Sequence, residues 1–144
     1  VSDKEDIQDT ISLASYAGTT RDWELLASTY LPDGAWDLAG SEYKMKGRDV
    51  IKASLPKFVE GTDYLCQTNS PAMITINGDK ATAKSLIREA GKTTGKDEWL
   101  EFLGIYEDSL TRTPEGWRFS NRTFKMIGIS RCPMLPDAGL PRES

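Results

Sequence analysis

The sequence predicts an α+β fold: a cone-shaped, curved antiparallel sheet, mixed in part, wrapped around N-terminal helices and enclosing one apolar pocket. Three observations carry that expectation. Helical spacing of apolar residues is confined to the segment before Gly61, the runs after it alternate with period two, and compact turn sequences join those runs. Helices followed by a strand meander give a layered α+β domain. A strongly curved sheet closed at one end by helices leaves a concave space suited to a small molecule.

Two helices are expected in DKEDIQDTISLASYAGTTRDWELLASTYLPDG. Ser2 or Asp3 caps the first, Ile7, Ile11 and Ala14 recur at helical spacing, and Gly18 stops it. Thr20 caps the second, which carries Trp23, Leu26, Ala27 and Tyr30 on one face and ends at Pro32-Asp33-Gly34. AWDLAG is a short extended piece, and a third helix runs from Asp49 to Phe58 before Gly61. CQTNSPAMITI and KATAKSLIREAG read as strands joined by Asn77-Gly78-Asp79-Lys80, a strong hairpin signal. KDEWLEFLGIYEDSLTRT is a long strand, and Pro114-Glu115-Gly116 turns the chain back into WRFSNRTFKMIGIS. The expected organisation is one domain over residues 1–130 and a proline-rich tail over 131–144.

Composition removes several function classes. A net charge of −4 and a pI near 4.9 do not supply the clustered basic surface that displaces counterions from a phosphate backbone, so no nucleic-acid partner is expected. No apolar run approaches the roughly 20 residues that span a bilayer, and the N-terminus is acidic, so no membrane association and a cytoplasmic location are expected. Cys66 and Cys132 lack CxxC spacing, and the sequence contains no histidine, which leaves no zinc ligand set. Both phosphate-cradling glycine patterns, GxGxxG and GxxxxGK[ST], are absent, so no cofactor is expected.

The phrases DIQDTISLASYAGTTRDWELLASTYLPDGAWDLAG, KGRDVI, QTNSPAMITINGDKATAKS and GIYEDSLTRTPEGWRFSNR, in that order, resemble the nuclear transport factor two-like superfamily and, within it, the SnoaL-like branch. The resemblance covers roughly residues 4 to 127. It implies a fold that hosts dehydratases, isomerases, polyketide cyclases, dehydrochlorinases, epoxide hydrolases and non-catalytic domains. In the dehydratase and dehydrochlorinase relatives an Asp/His dyad abstracts a proton. The matching positions here are Thr19 and Leu65, neither of which ionises near neutral pH, so that dyad is excluded. The position resembling the ketosteroid isomerase base is Leu38, and the adjacent Asp37 faces away from Trp36 and Leu38 by strand alternation.

Alternation in KDEWLEFLGIYEDSLTRT places Leu100, Phe102, Gly104, Tyr106, Asp108 and Leu110 on one face, taken as interior. The same resemblance matches Tyr106 to a pocket asparagine and Asp108 to a protonated aspartic acid that donates to an oxyanion. Tyr106, Asp108 and Asn69 are the expected catalytic residues. Asp108 is read either as a desolvated acid or as the partner of an arginine such as Arg122. Substrate-binding residues are expected at Tyr16, Trp23, Tyr30, Trp36, Leu38, Leu65, Gln67, Phe102 and Asn121. Asn69 and Gln67 either orient a carbonyl or satisfy backbone.

These residues point to a cofactor-independent enzyme of secondary metabolism. A cyclase, isomerase or dehydratase, including one with a pericyclic ring-forming step, needs mainly a preorganised conformation and a polarised carbonyl. The expected substrate is a small hydrophobic polycyclic, polyketide-like or terpenoid-like compound. The alternatives are a non-catalytic ligand-binding protein of the same fold and an accessory subunit of dioxygenase type. A homodimer is expected through the outer sheet face bearing Trp99, Leu103 and Ile105.

Overall fold

The computed structural model describes residues 1–135. Its elements are α1 (Asp3–Thr20), α2 (Trp23–Ser28), β1 (Tyr30–Leu38), β2 (Lys44–Lys46), α3 (Arg48–Val59), β3 (Thr62–Asn69), β4 (Met73–Asn77), β5 (Lys80–Thr93), β6 (Glu98–Thr113) and β7 (Gly116–Pro133). One seven-stranded sheet runs in the order β2-β1-β7-β6-β5-β3, with β4 also pairing with β5. All pairings are antiparallel except that of β1 with β7. The curved, unclosed sheet wraps the helices as the alternation and the helix-first order predict. β7 continues through Pro133, past the expected boundary at 130, and the rest of the expected tail, from 136 onward, lies outside the described residues.

Local chemistry sets the helix ends. The Ser2 hydroxyl accepts the Glu5 N–H at 3.1 Å, capping α1 beside the acidic first-turn residues Asp3, Glu5 and Asp6. Arg21 at φ 59° closes α1 in the left-handed conformation. Asp22, rather than Thr20, then caps α2, accepting the Leu25 N–H at 3.0 Å.

α1 runs two residues past Gly18, its expected stop, and two further boundaries differ from the sequence reading. α2 ends at Ser28, so Tyr30 opens β1 instead of closing a helical face, and Pro32-Asp33-Gly34 lies inside the strand. The turn-forming residues there produce a register break between Tyr30 and Ala35. A Cβ on Gly34 would sit 2.8 Å from the Phe119 carbonyl oxygen, so glycine permits the close approach of β1 to β7. CQTNSPAMITI, read as one strand, divides into β3 and β4 around Pro71, which has no N–H to contribute to a ladder. β3 pairs with the second half of β5 and β4 with the first.

The main core lies between α1 and the near half of the sheet. Ile7, Ile11 and Ala17 of α1 pack with Trp117 and Phe119 of β7, all at most 1% exposed. Trp117 fastens this end: its N–H donates to Asp6 at 2.9 Å, its indole N–H to Asp3 at 3.1 Å, and its carbonyl accepts the Thr10 hydroxyl at 2.9 Å. With that end filled, the open space falls at the other, between α2, α3 and the far half of the sheet.

Candidate active site

That space is a cavity of about 290 Å³, walled by Trp23 and Leu26 of α2, Trp36 and Leu38 of β1, Leu55, Phe58 and Val59 of α3, Leu65 and Gln67 of β3, Glu89 of β5, Phe102 and Tyr106 of β6, and Phe124 and Met126 of β7. Strand alternation delivers most of these side chains. Trp36 and Leu38 flank the outward Asp37, which accepts the Thr123 hydroxyl at 2.6 Å. Phe102 and Tyr106 flank Gly104, where a Cβ would lie 2.4 Å from the Phe124 ring. Phe124 therefore lies over a strand position that only glycine leaves open, forming a floor with Tyr106 at 5.4 Å and Trp36 at 6.2 Å between ring centroids.

Glu89 is the one carboxyl among the described residues that line the cavity. Burial pushes its acid strength down, holding the pKa above the ordinary 4.5, against the opposing pull of the Gln67 hydrogen bond and of Arg122. Gln67 stands directly opposite it in the β3–β5 ladder, and its Nε2 donates to Glu89 Oε1 at 3.0 Å. Gln67 is in turn fixed by α1: its backbone N–H donates to the Thr19 hydroxyl at 2.8 Å. A Cβ on Gly18 would come within 3.0 Å of the Gln67 amide, so the missing side chain makes that amide's seat.

Tyr106 is the second polar group. Its hydroxyl oxygen accepts the Trp36 indole N–H at 3.1 Å, which leaves the phenolic proton to be donated elsewhere. Burial pushes the phenol up to about 12, Arg122 opposing, so it is a neutral donor at physiological pH. The Arg122 guanidinium lies 3.7 Å from the centroid of its ring and 4.2 Å from that of Phe119. Arg122 Nε and Nη2 donate to the two oxygens of Asp108 at 2.8 and 3.2 Å. Burial pushes the Asp108 carboxyl upward while Arg122 pulls it back. The pair sits outside the cavity wall and neutralises itself.

A SnoaL-like domain matches residues 1–123, most of the chain. The chain belongs to the SnoaL-like family. No curated protein matches it by sequence. Among solved structures, an NTF2-like protein with a cystatin-like fold from Novosphingobium aromaticivorans is similar at 24% identity and a TM-score of 0.76, covering 87% of this chain and 82% of that one. A hexachlorocyclohexane dehydrochlorinase, LinA-type3 from Novosphingobium barchaimii, is similar at 18% identity and a TM-score of 0.80, covering 96% and 94%. A protein assigned as a scytalone dehydratase, also from N. aromaticivorans, gives the same 18% identity, TM-score of 0.80 and coverage of 96% and 94%. At these identities the likeness establishes the shared fold.

Within the SnoaL-like scaffold, the structure brings Trp23, Trp36, Leu38, Leu65, Gln67, Phe102 and Tyr106 together around the cavity. It places the other expected site residues elsewhere. Tyr16 points from α1 to solvent at 64% exposure, and Tyr30 is in the core against Phe119. Asn69 sits against α1, its carbonyl accepting the Ser15 hydroxyl, and does not line the cavity. Asp108 is held by Arg122, the alternative the sequence left open. Asn121 does not share the interior face of Phe119, because a register shift opposite Ser109 and Leu110 changes the phase of β7. Arg122, Phe124 and Met126 take the inward positions, and Asn121 bonds to Thr123 at 3.1 Å.

Glu89 was within reach of sequence reasoning. In KATAKSLIREAG, Ala81, Ala83, Ser85, Ile87 and Glu89 share one face while Lys80, Lys84 and Arg88 share the other. A carboxyl in phase with alanines and isoleucine is the signal. Among the described residues no group of three or more Cys, Asp or Glu is placed to hold a metal ion, and no helix is long and apolar enough to cross a membrane.

Proposed function

We propose that this SnoaL-like protein is a cofactor-independent lyase or isomerase, a cyclase, isomerase or dehydratase of secondary metabolism, in which Glu89 moves a proton on an uncharged hydrophobic ring substrate. The observation that carries the reading is a half-buried carboxyl, the one carboxyl among the described residues lining an aromatic cavity, with a neutral phenol, Tyr106, on the adjoining wall. Two polar groups with separated proton affinities divide the labour of acid–base chemistry.

The Glu89 carboxylate takes a proton from the carbon beside a substrate carbonyl. The C–H electron pair moves into the new C=C bond, and the carbonyl oxygen gains negative charge and accepts the Tyr106 hydroxyl proton as a hydrogen bond. Collapse of the enolate returns the proton from Glu89 either to a departing hydroxyl, which leaves as water, or to a different carbon. The first outcome is a dehydration and the second an isomerisation. Apolar walls strengthen both electrostatic contacts by excluding water. Arg122 is engaged by Asp108, so the described residues offer no free cation to a substrate carboxylate at the site, and a polycyclic, polyketide-like or terpenoid-like ketone or phenol fits better. In this reading Asp108 and Asn69 support the walls.

β-Tetralone, a neutral bicyclic ketone, tests the reading without the native substrate. Exchange of its α-protons with D2O, followed by proton NMR, is expected to be accelerated by the protein and to fall about 100-fold or more in E89Q. Exchange equal in E89Q and wild type overturns the proposal.

A second reading is favoured by the loss of both acid–base positions at Thr19 and Leu65: a small-hydrophobic-ligand binding protein without turnover. Tight β-tetralone binding with no exchange above background in the wild type selects it. We further propose a homodimer acting in the cytoplasm and pairing through the outer sheet face, where Leu103 is 43% exposed beside Ile105. Sedimentation equilibrium is expected to give twice the 16.0 kDa of one chain.

A further inference from the structure

The contacts around Glu89 run outward in a chain that ends on a helix. Thr19, one residue from the end of α1, accepts the Gln67 backbone N–H at 2.8 Å, and the Gln67 amide donates to Glu89 Oε1 at 3.0 Å. No other described residue donates a hydrogen bond to Glu89, so Oε2 is the oxygen left for a ligand. The amide is held in place from above as well, because Gly18 lies against it with no room for a Cβ to spare.

We infer that Thr19 and Gln67 are positioning residues for Glu89, fixing one carboxylate oxygen through a helix-to-strand relay so that the other is presented to the substrate. This inference rests on Glu89 as the proton-transferring group. Two features of the arrangement support it beyond ordinary packing. Gln67 is a cavity-wall residue whose polar end is turned to Glu89 instead of to solvent, although a leucine would fill the same wall. Thr19 is threonine at a helix end where its hydroxyl serves a neighbouring strand, when threonine in a helix more often bonds back to its own preceding turn, as Thr20 does to Tyr16. The general reason for such an arrangement is that a base reacts efficiently only when its lone pair is held in line with the proton, and a second shell supplies that alignment.

The relay also has a sign. A hydrogen bond donated to a carboxylate favours the charged form, so Gln67 opposes the burial that raises Glu89. The other groups facing Glu89 are Arg122 from β7, which acts in the same direction as Gln67, and Tyr106 from β6, which is neutral over the working range. Those two stay unchanged in the test variants.

Carbon-13 NMR titration of the Glu89 carboxyl in the full chain reads the relay without any substrate. Q67M is expected to move the Glu89 midpoint upward by about half a pH unit or more. T19V is expected to move it in the same direction by less, and T19S, which keeps the hydroxyl, to restore the wild-type midpoint. The acid limb of β-tetralone exchange is expected to shift with the titration. A structural role alone lowers thermal stability and leaves the midpoint in place. Should Q67M fail to fold, T19V against T19S carries the comparison. Unmoved midpoints in Q67M and T19V, with exchange still lost in E89Q, overturn the relay and leave the proposed function standing. Full exchange in E89Q overturns that function and the relay's catalytic meaning with it.

Discussion

Gln67 and Glu89 face each other across neighbouring antiparallel strands, with the amide nitrogen of one 3.0 Å from a carboxyl oxygen of the other, at the edge of an aromatic cavity. The cavity thus carries an acidic group, while Thr19 and Leu65 stand at the positions that the sequence resemblance matches to an Asp/His dyad. Leu65 has become wall, and Thr19 holds the strand that carries Gln67.

The half-buried Glu89 carboxyl has a thermodynamic consequence. A carboxyl whose folded pKa lies above its unfolded value binds its proton more tightly in the native state, so stability falls as pH rises from the ordinary value of 4.5 through the raised one. Above that window the charged form strains the fold. E89Q is therefore expected to be more stable than wild type at pH 8, while losing activity. Below pH 4 the advantage is expected to vanish, and urea denaturation at the two pH values reads both.

Tyr106 and Trp36 are expected to separate by magnitude. Y106F removes the donor to the developing oxyanion and is expected to slow β-tetralone exchange about 100-fold. W36F keeps an aromatic wall and removes only the N–H that orients the phenol, for a loss of about threefold to tenfold. Steady-state exchange rates at saturating ketone distinguish the two.

Asp108 and Arg122 are expected to behave as a structural unit. D108N leaves a buried guanidinium without its counter-charge and is expected to destabilise the chain by about 3–5 kcal/mol. Combining D108L with R122M removes both charges and is expected to recover most of that loss, since a buried pair is often matched by apolar residues. Thermal unfolding of the single and double variants measures the recovery. Activity in the double variant is expected to persist in reduced form, because neither side chain lines the cavity.

Gly104 is expected to be intolerant of a methyl group. A Cβ there meets the Phe124 ring at 2.4 Å and the Lys125 carbonyl at 3.0 Å, so G104A must push the aromatic floor into the cavity. A loss of about 1–3 kcal/mol is expected, with weakened β-tetralone binding by calorimetry.

Much of this architecture was legible because strand alternation in β5 and β6 is regular. Phe102 and Tyr106 reach the cavity as their phase requires, and Leu65 and Gln67 share a wall. What escaped the sequence follows from irregularities that alternation does not encode. The register shift at Ser109 and Leu110 reverses the phase of β7, turning Asn121 away and bringing Arg122 and Phe124 in. The break between Tyr30 and Ala35 makes a strand of a segment whose Pro-Asp-Gly reads as a helix stop. Asn69 keeps the strand phase yet falls beyond the cavity, against α1, because position along a strand decides which neighbour a side chain meets. Glu89 is different: its phase was regular, and a carboxyl on the alanine face needed only to be compared with its partners two residues apart.

The most direct test of Glu89 as the proton-transferring group is the pH dependence of β-tetralone exchange, measured beside the NMR titration of the Glu89 carboxyl in the same protein. The account predicts that exchange rises with pH through a midpoint above 4.5, that this midpoint coincides with the Glu89 titration, and that E89Q abolishes it. A kinetic midpoint that persists in E89Q, or that departs from the titration of Glu89, contradicts the account.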